Sequence, residues 1–138
     1  MMDRHSLQPG TVLPESVRHV VQEKINDYAR ASGDFNPIHI DPAFAAGTAM
    51  GGTIAHGMLI LAYVSDYMTG LFGLDWVNGG QLSCRFKDPA RPGDVLNING
   101  KVTAVENVEG RTIVSANVVC ENQQGQTILL CDTKVKLS

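Results

Sequence analysis

The chain has 138 residues, the length of one ordinary domain. Apolar residues make up 43% and charged residues 18%, which excludes a disordered chain, and a protein of this size buries roughly two-thirds of its unfolded surface without staples. The net charge of −3 provides no electrostatic case for nucleic acid or for an anionic membrane.

The N-terminal MMDRHSLQPG has no apolar stretch of the kind a signal peptide needs, and the terminal KLS is not the peroxisomal signal. Residues 1 to 14 read as an arm, with Pro9-Gly10 and Pro14 as breakers. Ser16 to Val21 suits a short strand. From Val20 or Val21 to Ser32 the apolar spacing is helical, with Ile25, Tyr28 and Ala29 on one face, and Gly33 ends the pattern. SGDFNPIH (32 to 39) follows as an irregular loop in which Pro37 pushes Asn36 toward an extended conformation. Asp41-Pro42 opens a short helix that stops at Gly47. GTAMGGT (47 to 53) is small and glycine-rich. Thr53 then stands as a cap for a long helix in TIAHGMLILAYVSDYMTGLFG. The continuous apolar run from Met58 to Val64 predicts a helix buried on nearly all sides. His56, Ser65 and Asp66 interrupt it too often for a membrane span.

From residue 77 the period changes to two. Strands are expected near Val77–Phe86, Val95–Val108, Arg111–Asn122 and Thr127–Leu137, with turns at Pro89, Pro92-Gly93, Glu109-Gly110 and Gln124-Gly125. The short final turns predict an antiparallel meander for the last three strands. Helices first and strands after make an α+β chain: one apolar helix covered by a curling sheet of about five strands. A single sheet leaves such a helix partly uncovered, so a second copy of the chain is expected to complete it as a homodimer or a higher homo-oligomer. The three cysteines Cys84, Cys120 and Cys131 form no C-x-x-C pair, and their odd count reads as reduced, mostly buried thiols of a cytoplasmic protein.

The chemistry-bearing residues concentrate at the breaks between helices. Asp34 and His39 flank Pro37, and a carboxylate and an imidazole near one water can share acid and base work. The same letters are also ordinary turn chemistry, since Asp and Asn often bond their own backbone. His56-Gly57 stands where the first amides of the long helix are unpaired, and a glycine there lets an oxygen approach. Such amides would polarise a carbonyl. His56 itself reads better as a capping or buried histidine. Ser65, the one small polar residue in the apolar run, either bonds its own helix backbone or faces the site. His39, Asp41, Asp34 and His56 lie near one another in sequence but show no H-x-x-x-H or H-E-x-x-H spacing, so no metal is expected. No G-x-G-x-x-G follows a strand, and no G-x-S-x-G occurs, which leaves a nucleotide fold or a serine hydrolase without support.

Taken together, the stretch from Tyr28 to His39, AHGML at 55 to 59 and RFKDPARPGDVL at 85 to 96 resemble the MaoC-like dehydratases and (R)-specific enoyl-CoA hydratases. The resemblance covers the chain from about residue 9 onward. It implies a hotdog fold over residues 1–138 as one domain with an N-terminal arm at residues 1–10. It further implies reversible addition of water to a trans-2-enoyl thioester of CoA or acyl-carrier protein, giving the (R)-3-hydroxyacyl thioester without a cofactor. Asp34 and His39 would activate the water and manage the proton at C2. Gly57 N–H would receive the thioester carbonyl, with Ser65 and Asn36 supporting the site. Ala31 is smaller than the family's usual aliphatic residue there. GTAMGGT is more glycine-rich than in many relatives and bears on acyl-chain length. A hotdog thioesterase and a non-catalytic acyl-binding partner subunit remain the competing functions.

Overall fold

The computed structural model describes residues 2–138. Its elements are a 3-10 turn at Arg4–Ser6, then β1 (Ser16–His19), α1 (Gln22–Ser32), α2 (Pro37–Ile40), α3 (Pro42–Ala46), α4 (Gly57–Phe72) and α5 (Leu74–Gly79). The strands β2 (Gln81–Phe86), β3 (Val95–Val108), β4 (Arg111–Glu121) and β5 (Thr127–Lys136) complete the chain. They form one five-stranded antiparallel sheet in the order β1-β3-β4-β5-β2. The α+β arrangement and the β3–β5 meander are as expected.

The sheet forms because its strands alternate. Leu96, Ile98 and Val102 of β3, Val114, Ala116 and Val118 of β4, and Leu129, Cys131 and Val135 of β5 are all buried. These side chains share one face, and residues between them face outward. The β3–β4 hairpin closes through Glu109 (φ 52) and Gly110 (φ 79), the two positive values a two-residue turn compatible with strand twist requires. Against the buried face lies α4, whose Ile60, Val64, Met68 and Phe72 recur every four residues and are at most 2% exposed. Burial of each such side chain contributes about 1.5–3 kcal/mol.

The other flank of α4 is open. Met58 is 55% exposed, and Ala62 and Asp66 are exposed beside it. The apolar run therefore does not mean a helix covered on nearly all sides; one sheet reaches only one side of the cylinder. Three local expectations also change. Thr53 does not cap α4; His56 holds that position, and the Thr53 hydroxyl donates to Gln22 Oε1 at 2.7 Å. Val77 to Gly79 belong to α5, because Trp76 is buried by a helical turn ahead of β2. The SGDFNPIH loop contains one turn of helix, α2, started by Pro37.

Cys84 and Cys131 stand opposite each other in the β2–β5 register, with Cα atoms 4.2 Å apart, and are joined as a disulfide. Cys120 is free and buried. This corrects the expectation of three reduced thiols. The pair is 47 residues apart in the chain, so only the sheet order brings it together. The cysteines thus lend no support to a reducing compartment. Among the described residues no helix is long and apolar enough to cross a membrane. At the far end of α4, Asp75 accepts from Arg4 Nη1 at 3.0 Å and from the Ser138 amide at 3.1 Å, fastening the segments before β1 and after β5 to α5.

Candidate active site

The site begins where α1 stops. Gly33 turns left-handed (φ 78) and returns its N–H to the Ala29 carbonyl at 2.9 Å. A side chain is strained at that φ, so glycine fits the helix end. The chain leaves the helix axis there and presents Asp34. Asp34 Oδ1 accepts the Asn36 N–H at 3.2 Å, and Asn36 Oδ1 accepts the Ile38 N–H at 3.1 Å. Asn36 is thus the cap of α2, with Pro37 at the first helical position, and it shapes the loop. That single turn of helix swings His39 back toward Asp34.

His39 Nδ1 lies 2.8 Å from the Ile54 carbonyl. A carbonyl only accepts, so Nδ1 carries a proton, and in the neutral ring Nε2 keeps its lone pair. Nε2 points to Asp34 Oδ2 across 4.0 Å. The His39 side chain is 12% exposed and that of Asp34 53%, so one partner is anchored and the other is open to solvent. Gln22 secures the anchored partner: its Nε2 donates to the His39 carbonyl at 2.8 Å while its Oε1 holds Thr53. Nothing in the sequence singled out Gln22, since a polar residue in the first turn of a helix usually faces water.

The third segment is the start of α4. His56 occupies the cap position, and its carbonyl accepts from Leu59 and Ile60. Among the described residues the Gly57 and Met58 amides have no acceptor, as the first amides of a helix do not. A Cβ on Gly57 would lie 2.9 Å from the Phe86 ring, so the glycine makes room for Phe86 at the end of β2. Gly57, Phe86, His39, Ile54, Ile60 and Ile128 wall a cavity of about 280 Å³ that is largely apolar. A groove of about 500 Å³ on β2, β4 and β5, lined by residues such as Ser83, Asn117 and Asp132, holds none of these groups. The smaller cavity has an imidazole and the Gly57 amide at its wall.

Ser65 is not part of this cluster. It lies eight residues beyond Gly57, about 12 Å along a helix axis. Its Oγ accepts the Trp76 indole N–H at 3.0 Å, and it makes no hydrogen bond to Asp34 or His39. Asp34, His39 and His56 do approach one another, with ligand-type atoms within 4.8 Å. The two imidazoles nevertheless stack, centroids 3.9 Å apart at 25°, so their in-plane lone pairs run side by side instead of converging. His39 Nδ1 and His56 Nε2 are engaged by carbonyls. The arrangement suits proton transfer better than ligation of an ion.

The chain is similar in sequence and in fold to known proteins. The family profile described as MaoC like domain matches residues 6–124. The (R)-specific enoyl-CoA hydratase of Aeromonas caviae is 34% identical over 140 residues, covering 99% of this chain and 99% of that protein. The 3-hydroxybutyryl-CoA dehydratase of Methylorubrum extorquens is 31% identical over 82% of this chain and 69% of its own length. The solved structure of the A. caviae (R)-hydratase involved in PHA biosynthesis superposes with a TM-score of 0.82 at 31% identity, over 96% of this chain and 98% of that one. The curved sheet around α4 is the hotdog fold, and the chain belongs to the MaoC-like domain family.

Proposed function

We propose that the protein is a hydro-lyase that reversibly adds water to trans-2-enoyl thioesters, giving (R)-3-hydroxyacyl thioesters. The observation that carries this reading is the 4.0 Å gap between Asp34 Oδ2 and His39 Nε2, beside an apolar cavity walled by His39 and Gly57. A water about 2.8 Å from both atoms fits that gap. His39 Nε2, with Nδ1–H held by Ile54, accepts a proton from the water as its oxygen bonds to C3. The electrons of the C2–C3 double bond move to the thioester oxygen, which the free Gly57 amide receives at the positive end of α4. Asp34 holds the second proton of the water, and the proton removed by the pair returns to C2 as the carbonyl re-forms. The acyl chain occupies the apolar cavity.

The hydratase and dehydratase names of the relatives support the thioester substrate, whether of CoA or of acyl-carrier protein. The open flank of α4, with exposed Met58, and the unpaired edge of β2 are the surfaces on which a homodimer would form. The test is loss of enoyl-thioester absorbance from crotonyl-CoA, read beside release of free thiol. Wild-type turnover without thiol release, reduced about 10²–10³-fold in a folded Asp34→Asn, is the expected result. Thiol release would make the protein a thioesterase, and equal rates in both proteins would remove Asp34 from the chemistry.

A further inference from the structure

His56 is 2% exposed, and it is the only described residue with a buried side-chain atom, Nδ1, that lacks a partner. A phenylalanine of similar size would fill the space without that orphan atom. Two features need the imidazole. Its Nε2 lies 3.0 Å from the backbone carbonyl of Asp34, and since a carbonyl only accepts, Nε2 carries the proton. Its ring stacks on His39, with Tyr28 packed edge-on at 4.8 Å.

The Asp34 segment has few other anchors. Its amide is bonded only to Ser32 Oγ at 3.2 Å and its carboxylate to the Asn36 amide, both two residues away. These local bonds shape the turn but do not fix it to the rest of the protein. His56 is the distant residue bonded to Asp34 itself, while Ile54 and Gln22 hold the far end of the loop at Ile38 and His39, and the His56 ring is the surface against which His39 lies. One buried side chain therefore sets the separation of two groups on different elements.

We propose that His56 is a positioning residue for hydration: its Nε2–H holds the Asp34 backbone while its ring face aligns His39, keeping the pair 4.0 Å apart. The proposal rests on the hydration reading above. It asks no proton transfer of His56 and no contact with substrate.

The test uses side chains that reach different atoms. Gln places an N–H near the Nε2 position, Asn stops near the Nδ1 position, and Phe keeps the ring without a donor. With crotonyl-CoA, His56→Phe and His56→Asn are expected to lower kcat by about 10–100-fold with KM within about threefold, since a displacement of about 1 Å is that costly. His56→Gln, which keeps the donor but not the ring, is expected to fall between His56→Asn and wild type. If the residue only filled space, His56→Phe would turn over normally and losses would follow melting temperature. Either a fully active His56→Phe, or a His56→Gln no better than His56→Asn, overturns the proposal, and the Gln/Asn pair decides it if His56→Phe does not fold.

Hydrogen exchange supplies a reading that does not need turnover. The Asn36 and His39 amides, both bonded within the loop, should exchange about tenfold faster in His56→Asn and at the wild-type rate in His56→Gln. Unchanged exchange in His56→Asn overturns the proposal. An inactive wild type that shows the expected exchange pattern would sink the hydration reading and leave the positioning role standing.

Discussion

The two ends of α4 are built from the same kind of sequence and do opposite things. At the C-terminal end, Met68 and Phe72 are fully buried, the Trp76 indole is bonded to Ser65, and Gly73 closes the helix with its N–H on the Thr69 carbonyl at 2.7 Å. At the N-terminal end, two amides and one nitrogen of a buried imidazole have no partner among the described residues, and Met58 and Phe86 are both 55% exposed. One end resolves its polar groups and its volume, while the other leaves both open beside a cavity. Packing and the proposed chemistry thus separate along one helix of 16 residues.

That separation can be broken from either side. Phe72→Ala should cost about 3–5 kcal/mol in chemical denaturation while the folded fraction keeps its kcat, because the cavity opens far from Asp34. A kcat loss as large as the stability loss would mean the two ends are coupled. Gly57→Ala should do the reverse. Its Cβ meets the tip of an exposed ring that can move, so melting changes little, while kcat/KM falls about tenfold as Phe86 shifts against the free amide. Phe86→Leu in the same chain should restore part of the rate; no restoration would assign the loss to the helix backbone.

Smaller effects sharpen the boundary between the ends. Ser65→Ala leaves the Trp76 N–H without its acceptor and should cost about 1–3 kcal/mol with kcat unchanged. A large rate loss there would show Ser65 working at a site other than that of its own chain. Burial pushes the Tyr67 phenol and the Cys120 thiol each up to about 12, with Glu15 and Glu121 adding to the respective shifts. The unfolded chain releases these protons at lower pH than the folded protein. The stability the two groups contribute is therefore whole below about pH 9 and is lost as the pH rises toward 12. Thermal melts between pH 8 and 11 should show the decline, and Tyr67→Phe should flatten it.

Much of this was legible in the sequence, for identifiable reasons. β3 matched its expected ends, Val95–Val108, because alternation and the Glu109-Gly110 turn point the same way. Asp41-Pro42 opened α3 as the cap rule requires. Asp34, His39 and Gly57 stand out because glycine and proline cluster where a loop must aim side chains. What stayed hidden depended on contacts across the sheet or between segments. Gln22 and Thr53 are coupled over 31 residues, and no local pattern encodes that. Trp76 and Ser65 pair because α5 folds under α4, which a period-two reading of residues 77 to 86 could not anticipate. The cysteine pair needed the strand order.

That strand order also dictates when the cavity can exist. β2 precedes β3 in the chain but, among the described residues, pairs only with β5, the last of the five strands in sequence. Phe86, which covers Gly57, and Ile128, which walls the cavity, therefore meet only after the final hairpin closes. The segments bearing Asp34, His39 and His56 gain their contacts over roughly twenty residues, and the sheet edge over nearly fifty, so local pairing is expected to run ahead of the long-range closure. A chain that ends before Thr127 would still contain Asp34, His39, His56 and Gly57, yet β2 would have nothing to pair with and the cavity would lose its Ile128 wall.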